Sequence, residues 1–299
     1  MANYPEKVFL NGEIIASSEA KISVFDRGFL FGDGIYEVMI QFNGHFFFGD
    51  AHLKRLAGCL KKVNITFDTT LLNGYIDHLL GATGLQSENC LLYIQVTRGV
   101  APRKHSFPEN TDSTLMMYAV PYELPEVNTQ LVSVVTQPDF RWHRCDIKMT
   151  SLLGNVMAND FAIKNGHYEA VFHREGKMTE GSHSNLFFVK DGMVYTHPSD
   201  SYILNGITRE IVLKICRDAD IPYREEAITF EAIPMMDEAF LTGTSTQIAG
   251  IKQLDTHVFQ EGTSPGAMTE KLQELFLKLK NNYHPEMNYE KSSNLLNAL

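Results

Sequence analysis

Residues 32 to 37 read Gly32-Asp33-Gly34-Ile35-Tyr36-Glu37. The stretch opens like a dinucleotide-binding fingerprint, in which a third glycine lets a helix start tightly after a strand. Here Glu37 occupies that glycine's place, and Tyr36 to Phe42 runs on as an apolar strand that turns at Asn43-Gly44 into His45 to Phe48. A hairpin where the fingerprint requires a helix excludes the doubly wound reading. A second hairpin precedes it, Val8-Phe9-Leu10 and Glu13-Ile14-Ile15 around Asn11-Gly12.

Working outward, Asp50 sits where an N-cap belongs, and Leu53, Leu56, Leu60 and Val63 follow at helical spacing. A second helix is expected over about Leu71 to Leu80, then strands at Leu91 to Thr97 and Thr114 to Val120. The two prolines of Pro121-Tyr122-Glu123-Leu124-Pro125-Glu126 break the pattern and mark a linker. Beyond it come a strand at Leu131 to Thr136, a helix from Leu152 to Lys164 closed by Gly166, and a hairpin, Ser184 to Val189 and Met193 to His197, around Asp191-Gly192. A helix at Ile207 to Ala219, a strand at Ala239 to Thr242 and a last helix at Ala267 to Lys280 complete the pattern. Strands and helices mix without strict alternation, so the expected class is α+β. The expected division is a small domain over 1–120, a linker over 121–127, a larger domain over 128–282 and a flexible tail over 283–299.

Composition narrows the partners. With 44% hydrophobic residues the chain can bury a sizeable core, and its net charge of −10 argues against nucleic acid or anionic lipid, which need a concentrated basic face. A local basic pocket for a small anion stays open. Met1 to Lys7 lacks a secretory pattern and no apolar run reaches the roughly 20 residues of a membrane helix, so a cytoplasmic protein is expected. Cys59, Cys90, Cys145 and Cys216 are scattered, as reduced, packed thiols would be, and Cys145 lies close enough to Lys148 to raise the option of reactivity. None of the eleven histidines forms a helix-spaced pair with a carboxylate, so no metal is expected.

Four short segments could carry chemistry, and each has an ordinary alternative. Arg141-Trp142-His143-Arg144-Cys145-Asp146-Ile147-Lys148 ends in a lysine that is either solvated or, flanked by Arg141 and Arg144 in a partly buried strand, lowered in pKa for nucleophilic work. Thr179-Glu180-Gly181-Ser182 holds either a capping glutamate or a carboxylate for a buried cationic nitrogen. Gly206-Ile207-Thr208 is a plain helix start or an anion site, and Gly243-Thr244-Ser245 a plain turn or a second set of donors.

Taken in order, these pieces resemble the fold-type IV pyridoxal phosphate enzymes, and within them the bacterial D-amino acid aminotransferases, from about Val8 to Gln273. Asp26-Arg27-Gly28, His52-Leu53-Lys54-Arg55-Leu56, Val96 to His105 and Gly206-Ile207-Thr208-Arg209 carry the resemblance with the segments above. It implies a small α/β domain and a larger β-barrel-like domain with flanking helices. It further implies pyridoxal 5'-phosphate, with Lys148 as Schiff-base lysine and Glu180 on the pyridine nitrogen. Arg55, Ile207, Thr208 and Thr244 would receive the phosphate, and Leu204 would pack under the ring. Tyr36, Arg103 and His105 would trap the substrate carboxylate, since residues two apart on an extended segment point to one side. The implied reaction is reversible amino transfer from D-alanine or another D-amino acid to a 2-oxo acid such as α-ketoglutarate, in a homodimer. L-branched-chain aminotransferase and aminodeoxychorismate lyase are the alternatives, and the Arg103/His105 pair argues against both. His183 departs from the serine typical of the D-enzymes.

Overall fold

The computed structural model describes residues 4–127, 131–288 and 295–296. The expected starting point of the larger domain at residue 128, and 289–294 and 297–299 of the expected tail, lie outside the described residues. The chain divides into two compact units: residues up to Glu123 with Ile147–Ser151, and Leu124–Asp146 with Leu152 onward. The boundary at 123/124 falls within the Pro-rich stretch, but the Lys148 segment joins the first unit, which no local pattern signalled.

The first unit is built on six antiparallel strands: β1 (Lys7–Leu10), β2 (Glu13–Ala16), β3 (Gly34–Phe42), β4 (His45–Phe46), β5 (Cys90–Thr97) and β6 (Thr114–Pro121). Their order across the sheet is β2-β1-β6-β5-β3-β4. Alternation decides the faces: Leu92, Ile94 and Val96 of β5 are buried, whereas Tyr93 and Gln95 between them are half-buried on the other side. The buried face packs on α2 (Gly49–Lys62) and α3 (Leu72–Thr83) through Phe9, Ile35, Leu56, Leu60, Leu72 and Leu79. Asp50 lies in the first turn of α2 rather than at its cap, because the cap is Phe48, in the left-handed region at φ 50°, two residues earlier than expected. On the opposite face Tyr36, Tyr93 and Tyr118 stack ring on ring across three neighbouring strands, with centroids 5.8 and 5.1 Å apart.

The second unit carries nine strands among its described residues: β7 (Leu131–Pro138), β8 (Glu169–Arg174), β9 (Lys177–Gly181), β10 (Asn185–Lys190), β11 (Met193–Thr196), β12 (Tyr223–Glu225), β13 (Glu238–Gly243), β14 (Gln247–Leu254) and β15 (His257–Val258). Neighbours run β10-β13-β14-β7-β8-β9, and β9 returns to pair with β10, closing a six-stranded barrel. Closure removes the sheet edges. The helices α4 (Leu153–Lys164), α5 (Ile207–Asp218) and α6 (Ala267–Asn281) flank it, so β10 is buried on both faces along most of its length. The β8–β9 hairpin, turning through Glu175 and Gly176 at positive φ, and strand β14 escaped the sequence reading. A barrel strand covered on both sides loses the alternation on which that reading depends.

Candidate active site

The first unit positions Lys148 by main-chain bonds to strand β3. The Tyr36 N–H donates to the Lys148 carbonyl at 3.0 Å and the Thr150 N–H to the Gly34 carbonyl at 2.9 Å. The expected strand over 141–148 is absent: only Met149 makes an isolated bridge, to Ile35, because the segment is held by these few bonds and not by a ladder. The half-buried Lys148 places its Nζ 4.2 Å from the centre of the Tyr36 ring.

Beneath that strand, Glu37 is wholly buried and takes Arg55 in a bidentate pair, at 2.9 and 2.7 Å, and His52 Nδ1 at 3.0 Å. Burial alone would raise the Glu37 carboxyl, but Arg55 and His52 outweigh it and hold the group well below the ordinary carboxylate range. Burial drives His52 the other way, below its ordinary value, against the pull of the Glu37 carboxylate. The residue that ruled out a dinucleotide fingerprint is thus the anchor of Arg55.

Arg103 and His105 lie exposed in the loop after β5, and both lie against the ring of Phe31, at 5.1 and 5.9 Å from its centre. Phe31 ends α1 (Arg27–Phe31). Arg27 fixes the loop between the two bases by donating to the Lys104 carbonyl at 2.7 Å, and is itself held by Asp33 at 2.8 Å. Arg98 completes the clamp with two bonds to Asp33 at 2.7 and 2.9 Å. Gly99, at φ 92°, lets the loop leave β5 so close to Asp112 that a Cβ would stand 1.9 Å from its carbonyl oxygen.

In the second unit, strand register aligns Glu180 of β9 with Asn185 of β10, and Asn185 with Thr242 of β13, at one end of the barrel. Glu180 is buried; its Oε1 accepts from Arg141 at 2.8 Å, and its Oε2 from the Leu204 N–H at 2.8 Å and Asn185 Nδ2 at 3.2 Å. Burial pushes its carboxyl up to about 7, against the opposing pull of Arg141 and the Leu204 N–H. Asn185 also donates to the Leu204 carbonyl at 2.8 Å, tying the Leu204 segment, and hence the start of α5, to the same point. At that start, where Ile207 and Thr208 are buried, no side-chain hydrogen bond caps the helix, as a helix N-terminus able to take an anion requires. Gly206 is required there, since a Cβ would lie 2.1 Å from Asn185 Oδ1. Buried Arg209 locks the turn through Asn205, the His197 carbonyl and Glu225. Thr244 is half-buried on the turn from β13 to β14, two residues past Thr242.

Sequence reasoning missed the supports: Arg141 and Asn185 for Glu180, Glu37 and His52 for Arg55, and Arg27 for the Arg103 loop. Arg141 faces Asp139 and Glu180, and Arg144 pairs with Asp146, so their long-range assignment to the lysine was not readable from adjacency. All four cysteines are free and buried; Cys145 is pushed up to about 12 by burial and is a neutral, packed thiol, which removes the reactive option. His183, the departure from the family pattern, gives its N–H to buried Glu169 at 2.6 Å while its ring stays partly exposed. Among the described residues no helix is long and apolar enough to cross a membrane.

The chain belongs to amino-transferase class IV, whose family pattern matches residues 34–254, and is a transaminase. Members of that class are pyridoxal phosphate enzymes. The chain is 41% identical over 280 residues to the D-alanine aminotransferase of Staphylococcus aureus (strain N315), covering 91% of this chain and 97% of that one. Its fold matches a branched-chain aminotransferase of the archaeon Thermoproteus uzoniensis, solved with norvaline, with TM-score 0.82 at 27% identity over 96% of this chain and 97% of that one. It also matches the branched-chain amino acid aminotransferase of Escherichia coli, TM-score 0.83 at 22% identity, over 92% of this chain and 95% of that one.

Proposed function

We propose that this chain is a D-amino acid aminotransferase that uses pyridoxal 5'-phosphate to move the amino group of D-alanine and other D-amino acids reversibly to 2-oxo acids such as α-ketoglutarate. The observation that carries the substrate side is the convergence of Arg103 and His105 on Phe31, a basic pair suited to one small carboxylate. The 41% identity to a D-alanine aminotransferase supports the same reading.

The donor set fits the cofactor. Glu180, buried and braced on both oxygens, suits a cationic ring nitrogen, and the uncapped start of α5 beside Gly206 suits a phosphate. When bound, pyridoxal 5'-phosphate supplies an aldehyde carbon for the substrate amine and a ring that accepts the electrons of the Cα–H bond. Lys148 would supply the nucleophilic amine that holds the cofactor and the base that takes the proton from the substrate Cα. Glu180 keeps the proton on the ring nitrogen. Ile207 and Thr208 would hold the phosphate with N–H groups and a hydroxyl, Thr244 and Arg55 would add donors, and Leu204 would pack against the ring. Tyr36, Arg103 and His105 orient the carboxylate and so choose the hand of the amino acid presented to Lys148.

The proposal includes a homodimer, supported by large apolar side chains left exposed at Phe25, Phe29, Leu153 and Val156, and places it in the cytoplasm. The fold match to branched-chain aminotransferases makes an L-branched-chain activity the competing reading. Visible spectra of the cofactor-loaded protein, taken before and after D-alanine or L-leucine, separate the two. A change with D-alanine alone is expected; a change with L-leucine alone gives the branched-chain reading the substrate.

A further inference from the structure

The residues around Glu180 form a graded charge system. Arg141 divides its guanidinium: Nη1 donates to Glu180 Oε1 at 2.8 Å, while Nε and Nη2 grip Asp139, both at 3.0 Å. Asp139 is itself wholly buried and takes a second cation, Arg174 Nη2, at 3.1 Å. The side chains of Arg141, Arg174 and Glu180 are each less than a tenth exposed, and Arg141 lies over the ring of Phe172 at 4.2 Å, so water screens none of these charges well. The charged and titratable groups facing Glu180 are Arg141 and Asp139, with Cys145 and Arg174 behind them; β10 and the Leu204 segment contribute only the neutral Asn185 amide and an N–H.

A carboxylate offers about four acceptor positions. Two on Oε2 are taken by Leu204 and Asn185 and one on Oε1 by Arg141, which leaves one on Oε1 for a ligand. Arg141 therefore acts on the very oxygen that a ligand N–H would use. If Arg141 gave its whole charge to Glu180, that oxygen would be a weak proton acceptor; Asp139 draws part of the charge away.

We propose that Asp139, acting through Arg141, sets the proton affinity of Glu180, making Asp139 and Arg141 positioning residues for the ring nitrogen of pyridoxal 5'-phosphate. The proposal rests on the assignment of Glu180 to that nitrogen. Its signature is one of sign. Removing the cation strengthens proton binding at Glu180, and removing the anion that competes for the cation weakens it.

The test uses the full-length protein carrying 13C-labelled glutamate, with the Glu180 carboxyl resonance identified by its loss in Glu180→Gln, and titrates it through neutrality. Arg141→Met is expected to raise the Glu180 proton affinity by about tenfold or more, one pH unit, and Asp139→Asn to lower it. Arg141→Lys, which keeps the charge, should move it less than Arg141→Met, and this variant with Asp139→Asn carries the test if Arg141→Met does not fold. Shifts in one direction for both primary variants, or no shift, overturn the proposal. Binding of pyridoxal 5'-phosphate, measured on the same proteins across pH, tests the underlying assignment separately. Glu180→Gln is expected to bind it at least about tenfold more weakly; equal binding overturns the role of Glu180, whatever the titrations give.

Discussion

Lys148 is registered against a single strand residue twice over: its carbonyl accepts the Tyr36 N–H at 3.0 Å, and its Nζ stands 4.2 Å from the centre of the Tyr36 ring. The main-chain bond fixes the Cα, and the aromatic face gives the amine a resting position. The lysine is thus held by weak contacts that it can leave.

Replacing Lys148 with alanine should reduce transamination of D-alanine by about 10⁴-fold or more, because both nucleophile and proton carrier are lost. The side chain is half-buried and its main-chain bonds survive, so unfolding free energy should change by less than about 1 kcal/mol. Steady-state assays with denaturant titration check both; wild-type turnover in the variant removes Lys148 from the reaction.

Glu37→Gln tests the buried cluster. The substitution leaves Arg55 without its carboxylate and should cost about 3 to 5 kcal/mol. The pH sign follows from the depressed carboxyl: the cluster's stabilisation is complete above the ordinary value of 4.5 and fades as the solution is acidified below it. Denaturation midpoints of the wild type should therefore fall with acid more steeply than those of Glu37→Gln. Parallel acid profiles for the two proteins contradict the assignment.

Arg103→Ala removes one charge-assisted hydrogen bond to the substrate carboxylate, about 1.5 to 3 kcal/mol, so kcat/KM for D-alanine should drop roughly 10- to 150-fold. Affinity for pyridoxal 5'-phosphate should hold steady. An equal loss of cofactor would show that Arg103 shapes the fold and not the substrate.

Gly206→Ala has a defined steric consequence. The new Cβ meets Asn185 Oδ1 at 2.1 Å, and Asn185 is bonded to both Glu180 and Leu204, so it cannot swing away freely. A stability loss of about 1 to 3 kcal/mol is expected, together with weaker cofactor binding. Thermal unfolding with and without added pyridoxal 5'-phosphate reads the two effects.

By itself the sequence determined the local events. Asn11-Gly12, Asn43-Gly44 and Asp191-Gly192 mark hairpins because the turn needs positive φ, which all six residues adopt. The apolar spacing of α2 and α5 and the Gly206 helix start were equally legible, since they depend on neighbours a few residues away. Tertiary structure alone decided what depends on distant neighbours. Strand pairing brings β13 beside β10, and only then does Thr242 align with Asn185. Arg141 reaches a carboxylate 39 residues ahead, and Lys148 joins a strand more than a hundred residues behind it, at Tyr36. Buried charges such as Glu37 and Glu180 read locally as surface residues; their burial is tolerable only where the fold supplies the partners, and the guanidinium groups that pair with them lie 18 and 39 residues away.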